Sequence, residues 1–359
     1  MRKKSLETLN NDYGRYIWRK WLVLLVLLVI TAASGLFSLV AGSAGLSVKE
    51  VILAIAHCGD LRTETIIWNV RMPKLATAAA VGAALALSGC IMQNVLRNPL
   101  ASSSTLGVSQ GASFGAAVAI VYFGAGIQVN AGGTSSALTV TNPALVTFCA
   151  FAGGMATTVV ILAISRLRGT TPATMVLVGV ALSSMFTGGT ALIQYFCDDV
   201  MVATVVYWTF GSLGRAGWRD IAIIAVLTLG VFGYFIYNRW NYNAMESGTS
   251  TAKSLGVHVD ALILSSMALC ALISSVAVAF VGCISFIGLI APHIMRRFLG
   301  NDYRFLIPAS ALCGSALLIL SDIVSRTLLS PTVLPIGALT SFLGAPLFLY
   351  LIIKRGGMK

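Results

Sequence analysis

Long apolar runs follow one another along this chain, and they constrain its fold more than any other feature. A helix that crosses a bilayer needs about 20 mainly apolar residues. On that basis we predict ten membrane segments, at 19–40, 64–93, 104–125, 143–165, 172–196, 218–238, 259–281, 284–298, 305–328 and 335–353. The two runs 259–281 and 284–298 could instead merge, which would give nine segments. The sequence thus predicts an all-α integral membrane protein with about ten transmembrane helices.

The composition agrees with a membrane protein and argues against a soluble domain. Hydrophobic residues make up 57% of the chain and charged residues only 10%. A soluble domain usually carries about 25% charged residues, which cover its surface. The net charge of +12 would suit a nucleic-acid partner, but the cations lie in short loops between apolar runs. We therefore interpret them as determinants of membrane topology and predict no nucleic-acid partner.

The distribution of Lys and Arg predicts the orientation. Most of the 24 cations fall on the side that holds both termini. Because cytoplasmic loops carry the excess of Lys and Arg, both termini are predicted to be cytoplasmic. The expected organisation is a cytoplasmic N-terminal segment (1–18), a polytopic transmembrane domain (19–353) and a short cytoplasmic tail (354–359). The seven cysteines contain no CxxC pair and are interpreted as small buried hydrophobes, although pairing of Cys58 with Cys197 stays open.

The largest cytoplasmic loop is the segment 239–258, RWNYNAMESGTSTAKSLGVH. It is too polar to lie in lipid, and its Ala, Met, Glu and Lys favour two short helices that break near Ser247 and Gly248. Local physics leaves two interpretations equally open. The segment is either a folded connector or a docking surface for a cytoplasmic partner.

A few charges lie inside the predicted membrane segments, where they are costly. Asp322 and Arg326 stand four residues apart, a spacing that places them on one helical face as an ion pair. This pair is either structural or part of a path or docking site. Arg71 and Lys74 flank Pro73 at the start of an apolar run. They either snorkel to the interface or form, with Arg326, a positive patch that faces outward.

The segment 282–293, GCISFIGLIAPH, points to an internal path. Pro292 and His293 interrupt a run hydrophobic enough to enter a bilayer, which favours a short, broken helix. The sequence contains no G-x-x-x-x-G-K-[ST] phosphate-binding loop, no hydrolase motif and no cluster with metal-ligand spacing. We therefore predict no catalytic residue, no metal, no cofactor and no enzymatic activity of the chain itself.

A series of motifs gives the chain a specific resemblance. It resembles the permease subunits of type II ABC importers, the FecCD-type family that carries ferric siderophores, haem or cobalamin. The motifs, in register from about residue 64 to 353, are RMPK (71–74), VGAALALSG (81–89), RNPLA (97–101), LGVSQGASFGA (106–116), GTSTAKSLG (248–256), GCISFIGLIAPH (282–293), SDIVSR (321–326) and LPIGALTSFLGAPLFLYLI (334–352).

The resemblance implies a ten-helix permease fold and a set of partners. A second permease subunit, either a copy or a paralogue, would surround a central path together with this chain. The other partners would be two cytoplasmic ABC ATPase subunits and a periplasmic or lipid-anchored substrate-binding protein. The complex would lie in the cytoplasmic (inner) membrane of a bacterium or archaeon. The small residues of 104–116 and 179–191 would suit the wall of a wide path for a bulky chelate.

The resemblance also implies roles for particular residues. Those expected to couple the chain to the ATPase are Gly248, Ala252, Lys253, Leu255 and Gly256. Thr249 stands where the family usually has an acid. Those expected to meet acidic residues of the binding protein are Arg71, Lys74 and Arg326. Lys74 stands where Arg is usual, so it keeps the charge and loses bidentate geometry.

Two other classes of function compete with this expectation. A secondary transporter driven by an ion gradient needs intramembrane acids. Asp322 is the convincing candidate, and Arg326 neutralises it. An intramembrane enzyme needs paired polar groups at depth, and the sequence offers none.

Overall fold

The fold was determined from a computed structural model that describes residues 2–42, 45–129, 137–140, 142–168, 171–330 and 332–356. The helices are α1 (Arg2–Val40), α2 (Val48–Ile55), α3 (Leu61–Ile66), α4 (Met72–Val95), α5 (Val108–Val121), α6 (Pro143–Arg168), α7 (Pro172–Tyr195), α8 (Asp199–Thr209), α9 (Trp218–Tyr237), α10 (Arg239–Glu246), α11 (Thr249–Ser254), α12 (Val259–Val281), α13 (Ile287–Leu299), α14 (Tyr303–Thr327) and α15 (Ile336–Gly356). A π turn, Ile67–Arg71, joins α3 to α4. The strands β1 (Gly126–Val129) and β2 (Ala137–Val140) form an antiparallel hairpin.

Each predicted membrane segment contains a helix, so the all-α membrane fold is confirmed. Seven helices of the described residues are long and apolar enough to cross a membrane. The chain leaves the helical conformation between α12 and α13, so these two segments do not merge. Helix α1 begins at Arg2 and runs through the boundary expected at residue 18. The expected tail, 354–359, overlaps the end of α15, and residues 357–359 lie outside the described part.

Helix α4 lies at the centre of the bundle, in contact with α9, α12, α13 and α14. In the most apolar stretch of the span Leu61–Val95, which includes α4, 72% is buried. Such burial is expected for a helix that is apolar on every face. Two crossings depend on glycine pairs. A Cβ on Gly89 would overlap the carbonyl oxygen of Gly288 in α13, and a Cβ on Gly82 would overlap the carbonyl oxygen of Gly314 in α14. These pairs let the helix backbones touch.

Helix α13 is the short, broken helix that the sequence predicts, but the break lies elsewhere. The chain leaves the helix at Gly282 (φ 88°) and re-enters it after Phe286 (φ 67°), whereas Pro292 lies inside α13. Proline has no N–H to bond the carbonyl one turn earlier, which belongs to Gly288. Gln93 Nε2 of α4 donates to that carbonyl instead, at 3.3 Å. The carbonyl that the proline leaves free is thus satisfied by a neighbouring helix.

Two connecting segments differ in detail from their sequence-based description. The Gly, Ser and Thr content of 126–142 predicts a surface loop. This segment carries the β1–β2 hairpin, and residues 130–136 and 141 lie outside the described part. The acids and aromatic residues of 197–217 predict a short amphipathic helix at the outer membrane interface, with an aromatic belt, and α8 lies in this segment. Its Tyr207 is 61% exposed, whereas Trp208 is 3% exposed and belongs to the core. All seven cysteines, Cys58 and Cys197 included, are free thiols.

Candidate functional site

Two of the three expected docking cations lie under the surface and hold the end of α1. Arg71 is only 6% exposed, and its Nη1 donates to the carbonyl oxygen of Val40 at 2.9 Å. Arg326 donates to the carbonyl oxygen of Ala41 at 3.1 Å and to Ser38 Oγ at 2.8 Å. Cations suit these positions because the last carbonyls of a helix have no partner within it. Both guanidinium groups therefore cap α1.

Asp322 and Arg326 are in contact one turn apart on α14, with 2.8 Å between Oδ2 and Nη2. Their side chains are 8% and 11% exposed. Arg71 lies beside this pair, since a Cβ added to Gly42 would lie 3.2 Å from Arg71 Nη2 and 3.7 Å from Arg326 Nη1. Two guanidinium groups therefore stand against the single carboxylate of Asp322, which pairs with Arg326, and the cluster keeps a net positive charge.

Lys74 is the third expected docking cation and lies outside the α1 cap. It is half-buried at the first turn of α4. Its aliphatic stem borders the α8–α9 loop, where a Cβ added to Gly214 would lie 3.0 Å from Lys74 Cε. The structure therefore separates the three residues. Arg71 and Arg326 are bonded to the end of α1, whereas Lys74 borders the α8–α9 loop.

At the opposite end of the bundle, α10 is bonded to the start of α14. Asn243 Oδ1 accepts from the backbone N–H of Tyr303 at 2.8 Å, and Asn243 Nδ2 donates to Asp302 at 3.3 Å. Asp302 also pairs with Lys20 of α1 at 3.2 Å and with Arg304 at 2.8 Å. Burial opposes ionisation of Asp302, but the hydrogen bonds from Arg304 and Lys20 outweigh it and hold the pKa of its carboxyl below the ordinary value.

Helix α10 is bonded to α4 and α12 as well. Tyr242 is fully buried, and its hydroxyl lies 2.8 Å from Ser266 Oγ of α12. Asn94 Nδ2 of α4 donates to the carbonyl oxygen of Tyr242 at 3.2 Å. Burial raises the pKa of the Tyr242 hydroxyl, which stays protonated and able to donate. Sequence reasoning missed these contacts because polar residues at helix ends look the same whether they face water or each other.

The expected coupling residues divide into two sets across α11. Gly248 and Ala252 are buried against the bundle. Lys253, Leu255 and Gly256 are exposed, and Leu255 is 69% exposed. A single exposed apolar side chain is common on protein surfaces, so it is the position of Leu255 in this segment that makes it a candidate docking contact. The break between α10 and α11 falls at Ser247 and Gly248, as the sequence predicts.

Helix α7 is the most exposed of the seven candidate membrane spans. Only 11% of its most apolar stretch is buried inside the protein. The middle of its exposed face mixes small and polar residues, among them Ser184, Thr187 and Gly188, with a larger apolar one, Met185. The path wall expected at 179–191 stays a prediction. The other stretch, 104–116, is mostly buried inside the protomer and does not form such a wall.

Comparisons with known proteins agree with this architecture. The model of the FecCD transport family matches residues 27–354. The chain is 48% identical over 342 residues to MJ0087 of Methanocaldococcus jannaschii, whose own assignment as an ABC transporter permease is provisional; the match covers 95% of this chain and 97% of the relative. It is 33% identical over 341 residues to the haemin transport system permease HmuU of Yersinia pestis, over 92% and 94% of the two chains.

The fold has a close structural counterpart. A solved inward-facing structure, provisionally assigned to the metal-chelate type of ABC transporter, superposes with a TM-score of 0.80 at 29% identity. The match covers 92% of this chain and 99% of that one. The family match spans nearly the whole chain, and the fold agrees with that of the solved transporter. The chain therefore belongs to the FecCD transport family of ABC transporter permeases.

Proposed function

We propose that this chain is the permease subunit of a binding-protein-dependent importer that carries a ferric siderophore or a similar bulky metal chelate across the cytoplasmic membrane. Family membership implies a membrane complex with ATPase and substrate-binding partners. The observation that carries the proposal is the two-sided segment α10–α11. Its α10 is bonded to three spans, and its α11 presents Leu255 to solvent.

The segment α10–α11 supports a coupling role because its two halves have different attachments. A partner that binds Leu255 and Gly256 would push or pull α11. The bonds of α10 to α4, α12 and α14 would pass that displacement to the ends of membrane helices. We place α10, α11 and both termini in the cytoplasm, where the ATPase subunits hydrolyse ATP.

On the opposite face, the net positive cluster supports docking of an acidic partner surface. Long-range charge complementarity sets orientation and association rate even when the cations are partly buried. Because Arg71 and Arg326 also cap α1, changing them would disturb the fold together with docking. Lys74 makes no bond to α1 but its charge acts on Asp322, so it belongs to the positive patch and its replacement leaves the α1 end in place.

The cargo is proposed from chemistry that several carriers of this family share. A bulky chelate needs a wide path, and the exposed face of α7 offers small residues that a second subunit, copy or paralogue, would complete. The haemin relative makes haem the first alternative, and cobalamin follows from the family resemblance. A gradient-driven transporter is disfavoured because Arg326 engages the carboxylate of Asp322.

Uptake in reconstituted vesicles tests the proposal. The permease is assembled with its ATPase subunits and supplied with the binding protein and radioactive iron as a ferric siderophore, with haem and cobalamin in parallel. We expect uptake of one cargo class that requires both ATP and the binding protein. Uptake driven by a proton or sodium gradient alone would reject the proposal.

Replacing Lys74 by Gln should weaken binding-protein docking about fivefold, because one positive charge near the surface is lost. Arg62→Gln on α3 is the matched control, since Arg62 is exposed and lies outside the cluster. Surface binding of the isolated binding protein to the permease complex at low and high salt measures both. Equal affinity and equal salt dependence for the Lys74 variant and the wild type would remove Lys74 from the docking surface.

A further inference from the structure

A groove of about 970 Å³ opens on the side of the bundle, at the end where α6 and α9 begin and α12 ends. Its lining on α6 extends from Pro143 to Phe151, and on α12 it includes Ala279 and Phe280. A rise of 1.5 Å per residue makes the α6 wall about 12 Å deep. The groove therefore starts at the membrane boundary and enters the hydrocarbon region.

The groove is apolar inside and positive at its mouth. Arg215 and Arg219 line the mouth, and Asp220 is the acid beside them. Asp220 Oδ2 accepts from the N–H of Gly217 at 2.9 Å and so caps α9. Arg215 is held in place because its Nη2 donates to the carbonyl oxygen of Tyr207 at 2.9 Å. Two cations thus stand beside one carboxylate that already accepts a hydrogen bond, so the mouth of the groove keeps a net positive charge.

The surroundings of the groove face lipid. Phe148 on α6 is 66% exposed, and Val226 on α9, just beyond the groove, is 67% exposed. Trp218, 48% exposed, stands at the level of the two arginines, as tryptophans do at a membrane boundary. None of the lining residues lies on α7, so the groove is separate from the proposed cargo wall.

We propose that this groove binds one anionic phospholipid. A hydrocarbon chain lies between α6 and α9 over α12, and the phosphate meets Arg219 and Arg215. The charge at the mouth and the apolar interior match the two halves of such a molecule. A soluble partner would leave the apolar depth unfilled, whereas a neutral lipid would leave the positive charge of the mouth without an anion. The site is independent of the proposed cargo.

Native mass spectrometry of the full-length chain, titrated with dioleoyl phosphatidylglycerol, tests this site. We expect a first lipid that binds more tightly than dioleoyl phosphatidylcholine. Arg219→Gln should weaken that first binding about fivefold, as loss of one cation at a membrane surface does. Ala144→Trp, which fills the groove from an exposed position, should abolish it, and Ile223→Trp should do the same from α9.

Matched controls separate this site from general lipid contact. Arg62→Gln removes a cation elsewhere at the same end, and Val226→Trp adds bulk to α9 outside the groove. Both should bind phosphatidylglycerol as the wild type does. Equal binding of the two lipids, or equal losses in controls and groove variants, would mean only unspecific surrounding lipid and overturn the proposal. Unchanged lipid binding by Ala144→Trp together with weaker binding-protein docking would assign the groove to a protein partner instead.

Discussion

Leu255→Asp should abolish most cargo uptake while ATP hydrolysis by the assembled complex continues. The side chain is 69% exposed at the end of α11, so the change leaves the core of the permease intact. If Leu255 fills a pocket of the ATPase, an Asp buried there weakens docking as much as the loss of a typical interface hot-spot residue does. Uptake depends on this docking and should therefore fall at least about 30-fold. Parallel assays of ATP hydrolysis and vesicle uptake on the same preparation measure the uncoupling.

His258→Asp is the control for the added charge. His258 is exposed in the same segment, and Asp suits its position because His258 is the N-cap of α12. This variant should transport normally. Gly256→Asp is a second test of the docking surface, although its φ of 84° adds backbone strain. Normal coupled uptake by Leu255→Asp would remove α11 from the coupling pathway.

Gly89→Ala should destabilise the permease far more than one methyl group suggests. The new Cβ would overlap the carbonyl oxygen of Gly288, so α4 and α13 would have to separate. Overpacking a tight contact costs about 1–3 kcal/mol, and here two backbones must move, so the upper end is expected. Thermal unfolding in detergent, monitored as the loss of monodisperse protein, measures the fall in melting temperature.

Gly230→Ala in α9 is the matched control, because a Cβ there meets nothing within 4 Å. Alanine favours a helix over glycine by up to about 1 kcal/mol, so this variant should be as stable as the wild type or more so. The two substitutions are chemically identical and should act in opposite directions. Equal melting temperatures for both variants would show that the α4–α13 contact is not tight.

The membrane helices were predictable from the sequence because each span is a long apolar run. The separation of α10 from α11 was predictable for a similar reason, since Gly248 adopts a φ of 117° that suits glycine. The sequence also indicated that Asp322 and Arg326 share a helix face, and the structure places them in contact.

The partners of the buried cations were not predictable. Spacing along the chain shows that Arg71 and Arg326 lie near a membrane boundary, but not that both point at the last carbonyls of α1. Likewise, the aromatic content of α8 suggested an interfacial belt, yet Trp208 packs inward. Such contacts join segments far apart in the sequence, and only the packed structure decides them.

The two hydrogen bonds of Gln93 constrain how the protein can move. Its amide nitrogen holds the carbonyl of Gly288, and its amide oxygen accepts from Arg296, one site near each end of α13. Together with the backbone contact of Gly89 and Gly288, these bonds oppose sliding of α13 along α4 and favour joint movement of the two helices. A displacement of this pair relative to α12 would then fall on the non-helical link 282–286, which connects α12 to α13.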